Sequence, residues 1–186
     1  MRLASQITRS AVGAKHGKGF SPTLAEEKPV TMTRKRRYEY YIDEEGSWFC
    51  EGQPVQDREL LVLLSRSLVE RGGRYLVACE GEVHPVTVVD APLVVRHVHR
   101  EVGPGGELKR VEIELVDGRR EALQAGSLEI SSQHILYCRA TPRGLRTRFS
   151  RPAYYELMRH LEMEGDFERF YLVIQGKRHF IRGTGE

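Results

Sequence analysis

Hydrophobic and polar residues alternate in short runs along most of this chain, and twice the spacing switches to that of a helix. Alternation with aromatic or β-branched enrichment predicts strands at residues 37–42, 48–50, 74–79, 82–88, 93–102, 108–116, 119–124, 134–140, 145–149, 169–175 and 178–181. Leu60, Leu61, Leu64 and Leu68 form a helical stripe over about residues 58–69, with Asp57 as N-cap and Gly72-Gly73 as the stop. Tyr154, Leu157, Met158 and Leu161 predict a second helix, capped by Ser150, with Pro152 in its first turn and Gly165 at its end. The tip Gly103-Pro-Gly-Gly106 joins two long strands into a central hairpin, and Asp117-Gly118 makes the next tight turn.

The order strand, glycine turn, strand, helix, glycine, hairpin occurs twice. Arg74-Tyr75, Gly81 and His84 are matched by Arg169-Phe170, Gly176 and His179 at one constant offset. The helix-to-hairpin stretch needs a gap of about two residues. The fold expected is α+β: two similar strand-hairpin, helix, hairpin units (37–90 and 134–182) around a central antiparallel hairpin (91–126), forming one domain over 37–182 with about two main helices.

Charge divides the chain differently. Residues 1–37 carry a net +7 and residues 38–186 a net −4, so the basic character belongs to the N-terminal segment. Residues 1–36 read as a disordered basic tail. Arg2 and Arg9 beside the spacing Leu3, Ile7, Ala11, with no acid before Glu26, are also transit-peptide traits over residues 1–31. A start at Met32 is the third reading. The acidic body argues against a nucleic-acid-coating domain, which leaves only the basic tail, including Arg34 to Arg37, for that class. No apolar run exceeds five residues, too short for a membrane helix of about twenty. Localisation is therefore expected to be cytoplasmic, or the mitochondrial matrix if the first 31 residues are a transit peptide. Cys50, Cys79 and Cys138 show no CxxC spacing and read as small core residues of a reducing compartment.

Three segments carry a family resemblance. Tyr41-Ile-Asp-Glu-Glu-Gly-Ser-Trp-Phe-Cys-Glu-Gly-Gln-Pro-Val55 resembles the opening of the bacterial domain-of-unknown-function family DUF1285. Val89-Asp-Ala-Pro-Leu93 and Gly144-Leu-Arg-Thr-Arg-Phe-Ser-Arg-Pro-Ala-Tyr-Tyr-Glu-Leu157 are similar to later parts of it, in the same order. The resemblance spans about residues 38–182 and implies an α+β fold with a repeated structural motif and no established activity. After Val77 the family pattern has a Thr-Pro-Val-Glu-like segment where this chain has Ala78-Cys-Glu-Gly-Glu-Val-His-Pro85, the mark of a divergent member. The opening is also similar, more weakly, to the uncharacterised mitochondrial family DUF4505. Neither resemblance implies catalytic residues or a cofactor.

Candidate chemistry is sparse. There is no G-x-S-x-G, no G-x-G-x-x-G and no Walker lysine loop. His97 and His99 share one strand face and could give a metal two ligands, with His84 or Glu112 as a third. The competing reading is two exposed strand histidines between Arg96 and Arg100. The densest single chemistry is Arg139, Arg143, Arg146, Arg148 and Arg151, in a stretch with no acid between Glu129 and Glu156. Alternation puts Arg146 and Arg148 on one face, running into the helix start at Ser150 and Arg151. Arg146, Arg148, Ser150 and Arg151 are therefore the anion-binding candidates. Against this, the arginines could pair with acids such as Glu112 and Glu114, or with a partner subunit. The expected function is a non-enzymatic, regulatory module that binds a small anionic ligand or a protein partner, with homodimerisation open and no cofactor. A metal-dependent enzyme using His97 and His99 is the alternative, and a nucleic-acid-associated protein acting through its tail is the second alternative.

Overall fold

The structure is a computed structural model. It describes residues 38–79, 81–165 and 169–184. The tail of residues 1–36, and every reading placed on it, lies outside the described residues.

Strands β1 (Tyr40–Ile42), β2 (Trp48–Cys50) and β3 (Gln53–Pro54) open the chain, and helix α1 (Arg58–Ser67) follows. Asp57 Oδ1 accepts from the backbone N–H of Glu59 at 2.9 Å and of Leu60 at 3.0 Å, which satisfies two of the helix's free donors. Asp57→Ala is expected to cost about 1 kcal/mol in urea unfolding.

Helix α1 ends earlier than its leucine stripe predicts. Leu68 is already extended (φ −63°, ψ 129°) and fully buried. The next residues form β4 (Val69–Arg71), which pairs antiparallel with β5 (Arg74–Cys79) in the register Arg71↔Arg74. Gly72 and Gly73 are therefore a two-residue hairpin loop and not a helix stop. Both have positive φ (57° and 72°), as a hairpin turn of the right twist requires. Strand β6 (Glu82–Val88) pairs with β5 and lies parallel to β1, completing a six-stranded sheet in the order β3-β2-β1-β6-β5-β4.

The central hairpin is β7 (Leu93–Val102) with β8 (Leu108–Leu115), followed by β9 (Arg120–Ala122) and a 3-10 turn at Ala125–Ser127. Strands β10 (Glu129–Ser131), β11 (Leu136–Ala140) and β12 (Leu145–Phe149) come next, then α2 (Arg151–Met158). Ser150 caps α2, its Oγ accepting from the Ala153 N–H. This helix is also shorter than expected: Leu161, placed in its stripe, begins β13 (Leu161–Glu164). Strands β14 (Arg169–Ile174) and β15 (Lys177–Phe180) complete a three-stranded sheet with β13. A last strand, β16 (Arg182–Thr184), joins a seven-stranded sheet ordered β16-β10-β11-β12-β7-β8-β9.

The architecture is thus α+β, with two helices and mixed sheets among the described residues. His84 faces Val77 across β5–β6, and His179 faces Leu172 across β14–β15, the same register in both hairpins. The sheets are not equivalent, because β6 continues into the sheet of β1 whereas β13–β15 form their own. One cluster of buried apolar side chains runs through the body and includes Ile42, Trp48, Leu64, Val95, Ile113, Leu136, Leu157 and Leu172.

Candidate functional site

Strand alternation places Arg146 and Arg148 together. Leu145, Thr147 and Phe149 of β12 are buried, and the two arginines take the opposite face. There they enter a network instead of converging on a free anion site. Arg148 Nη1 lies 3.1 Å from Asp90 Oδ2 and 3.7 Å from Glu44. Asp90 also accepts from the Tyr137 hydroxyl, at 2.9 and 3.0 Å. The Arg146 guanidinium lies 3.7 Å above the Tyr137 ring, and its Nε reaches Glu129 at 3.3 Å. Acids therefore do pair with these arginines, but they are Glu129, Asp90 and Glu44. Glu112 takes Arg110, and Glu114 takes His99 and Arg120. The Ser150 hydroxyl is committed to its cap and to the Arg96 carbonyl. Arg151 is exposed, and with Arg148, His134, Tyr154 and Tyr155 it lines a cavity of about 320 Å3.

Burial, followed by the hydrogen bond to Asp90, raises the Tyr137 phenol above its ordinary value. Burial also raises Tyr40 and Tyr75. A raised folded value means that the unfolded phenols ionise first, near pH 10. Stability is therefore expected to hold below about pH 10 and to fall above it. Urea unfolding at pH 8 and at pH 11 checks this; equal stability at both would contradict it.

A larger cavity, of about 550 Å3, lies where the end of α1 meets β9 and the β11–β12 turn. It gathers Arg66, Arg119, Arg120 and Arg143 from three separate parts of the chain. Arg143 Nη1 donates to the carbonyls of Arg66 and, at 2.7 Å, Leu68, closing the negative end of α1 with a cation. Arg120 is held by Glu114 through Nε and Nη2, both 2.8 Å from one carboxylate oxygen. Glu121 is the one acid in the lining, and it accepts from the Thr141 N–H at 2.7 Å.

The Asp117-Gly118 turn sets Arg119. Gly118 has φ 84°, a left-handed conformation that a side chain would strain, so the turn needs glycine. Asp117 accepts from the Arg119 backbone N–H at 3.0 Å and from its Nε at 2.6 Å. The Arg119 side chain is only 16% exposed. Its Nη2 is buried with no hydrogen-bond partner, the only such side-chain atom among the described residues. An orphaned buried donor costs about 1–3 kcal/mol, and more on a charged group, so it calls for an explanation. Nothing in the sequence singles out this site: Asp117-Gly118 reads as a tight turn, and Arg119 and Arg120 as the start of the strand that follows.

His97 and His99 share a face as expected, with ring centroids 6.5 Å apart, but each turns to its own acid. His99 Nε2 is 2.8 Å from Glu114, and His97 Nδ1 is 3.8 Å from Glu156. The His99 hydrogen bond, followed by Arg120, holds the Glu114 carboxyl below its usual range. His84 is buried elsewhere, accepting from the Tyr38 N–H. Among the described residues, no three His, Cys, Asp or Glu side chains are grouped to hold a metal. All three cysteines are free. Burial pushes the Cys138 and Cys50 thiols up, away from the thiolate form a nucleophile needs.

No helix among the described residues is long and apolar enough to cross a membrane. No family model and no curated protein matches the chain. Two solved structures do. A DUF1285 family protein from Silicibacter pomeroyi DSS-3 is 22% identical, with 78% of this chain and 79% of that chain covered and a TM-score of 0.63. A DUF1285 family protein from Shewanella baltica OS155 is 20% identical, with 64% of this chain and 90% of that chain covered and a TM-score of 0.54. The segments around Trp48, Asp90 and Arg148 that suggested this family from sequence alone are therefore parts of a body that has the fold of the DUF1285 proteins.

Proposed function

We propose that this chain is a divergent member of the DUF1285 family and a non-enzymatic, cytoplasmic module that binds a small anion, a carboxylate or a phosphate, in the cavity beside Arg119. The observation that carries this is the buried, unpartnered Arg119 Nη2. Three further arginines line the same cavity, and Arg143 is matched there by carbonyls and not by a carboxylate, which leaves the site short of negative charge. Two related α+β units, suggested by the shared hairpin register, would supply two of the walls, and the central segment 91–126, which carries Arg119, the third. Both matched structures come from bacteria, which supports the cytoplasm over a mitochondrial destination.

The test is thermal stability with acetate, phosphate and chloride at equal ionic strength. Acetate or phosphate should stabilise the wild type more than chloride, with a gain that grows with concentration as binding linkage requires. Arg119→Met should remove that gain. Equal shifts for the three salts would contradict the reading.

The Arg148–Arg151 cavity supports a second anion site, because Arg151 has no ion-pair partner among the described residues. Arg151→Ala, and not Arg119→Met, would then remove the gain.

A further inference from the structure

Helix α1, the β2–β3 segment and the start of β7 surround a second cavity, of about 260 Å3. Trp48, Val55, Leu61, Val94, Leu115 and Val116 give it apolar walls. It is separate from the cavity beside Arg119: Ser65 and Leu93 stand between the two and line both. The Asp117–Arg119 ion pair belongs to the same partition, with Asp117 on the apolar side.

Ser65 is the odd residue of this partition. It is 4% exposed, yet its hydroxyl has no hydrogen-bond partner among the described residues. The oxygen is not sealed inside protein as Arg119 Nη2 is, so it opens onto the cavities it lines. Folding does not account for a serine here. Alanine is the better helix former, and in α1 it would remove a buried hydroxyl that bonds to nothing. A buried hydroxyl that faces a cavity without a protein partner calls for one from a bound molecule.

We propose that the Trp48 cavity binds a compact neutral alcohol, whose hydroxyl accepts from Ser65 and donates to Asp117 while its hydrocarbon body packs against Trp48. This site stands apart from the Arg119 anion site, and either can exist without the other.

Charge and hydrogen bonding select the class. Asp117, the charged residue of the lining, is already neutralised by Arg119, so the cavity has no net charge to attract an amine or a carboxylate. Its two oxygens each accept once from Arg119, and each keeps a second lone pair for another donor. A ligand hydroxyl both donates and accepts, which suits a serine hydroxyl on one side and a carboxylate on the other. Volume selects the size. A dry apolar cavity of about 150 Å3 already takes a benzene ring, so this one takes about six to eight carbons.

Trp48 is the chain's sole tryptophan and a wall of this cavity, so its emission reports on occupancy. The experiment titrates the full chain, wild type and Ser65→Ala, with cyclohexanol and with cyclohexane, each below its solubility limit, and reads Kd from Trp48 emission. Cyclohexanol should change the emission of the wild type to saturation. Ser65→Ala should weaken cyclohexanol by about fivefold or more, the worth of one hydrogen bond, and leave cyclohexane within about twofold. The melting temperature of the variant should not fall below that of the wild type. No saturable change in the wild type overturns the site, whatever the variant does. Equal effects of Ser65→Ala on the two ligands, or none on either, overturn the assignment of an alcohol.

Discussion

Trp48→Ala is expected to lower folding stability by about 3–5 kcal/mol. The indole is 4% exposed and meets the Tyr40 ring edge-on, with centroids 6.2 Å apart. Its backbone position pairs with Ile42, which is fully buried, so β1 and β2 present their largest apolar groups to the same core. Truncation removes that burial and also enlarges a cavity already present. The surrounding structure then has less to collapse onto, which places the cost toward the upper end for such a change. Trp48→Phe should retain more than half of the lost stability. Urea unfolding followed by circular dichroism measures both. A soluble alanine variant as stable as wild type would show that Trp48 is not a core anchor.

Asp90→Ala is expected to cost about 2–3 kcal/mol, because one carboxylate holds two partners. Its loss leaves the Tyr137 hydroxyl without an acceptor at a buried residue and Arg148 with only Glu44, at 3.7 Å. Arg148 is about a quarter exposed, which tempers the penalty of stranding its charge. Tyr137→Phe removes one hydrogen bond and should cost about 1 kcal/mol. A double mutant of Asp90 and Arg148 should be less destabilised than the sum of the singles, since the second change removes the stranded charge. Unfolding curves for the four proteins measure this. Strict additivity would place the ion pair outside the stability of the fold.

These residues also show how far the sequence could be read. The strand over Leu93–Val102, the strand over Leu145–Phe149 and both helix caps were legible, because alternation and cap chemistry are local. The helix ends were not. Gly72-Gly73 and Gly165 follow a helical pattern in sequence, yet β4 and β13 form because β5 and β14 offer ladder partners. Strands β3, β10 and β16 have two or three residues each, too few to show a period. At the site, alternation correctly put Arg146 and Arg148 on one face. It could not say that Arg148 would find Asp90, 58 residues away. The Arg119 cavity was least legible of all. Arg66, Arg119 and Arg143 meet only once the end of α1 is packed against two sheet loops, and no spacing in the chain anticipates it.

The central claim, that Arg119, paired with Asp117 through Nε but unpartnered at Nη2, takes a further partner from a bound anion, is tested most directly at its own side-chain nitrogens. The measurement is a 15N spectrum of the arginine Nε–Hε groups, assigned with Arg119→Lys and Arg151→Lys, during titrations with acetate and with phosphate at constant ionic strength. A saturable shift of the Arg119 resonance, with Arg146 and Arg148 unmoved in their ion pairs, is the result predicted here. Saturation at Arg151 alone, or drift of all exposed arginines together with Arg119 unchanged, would contradict it.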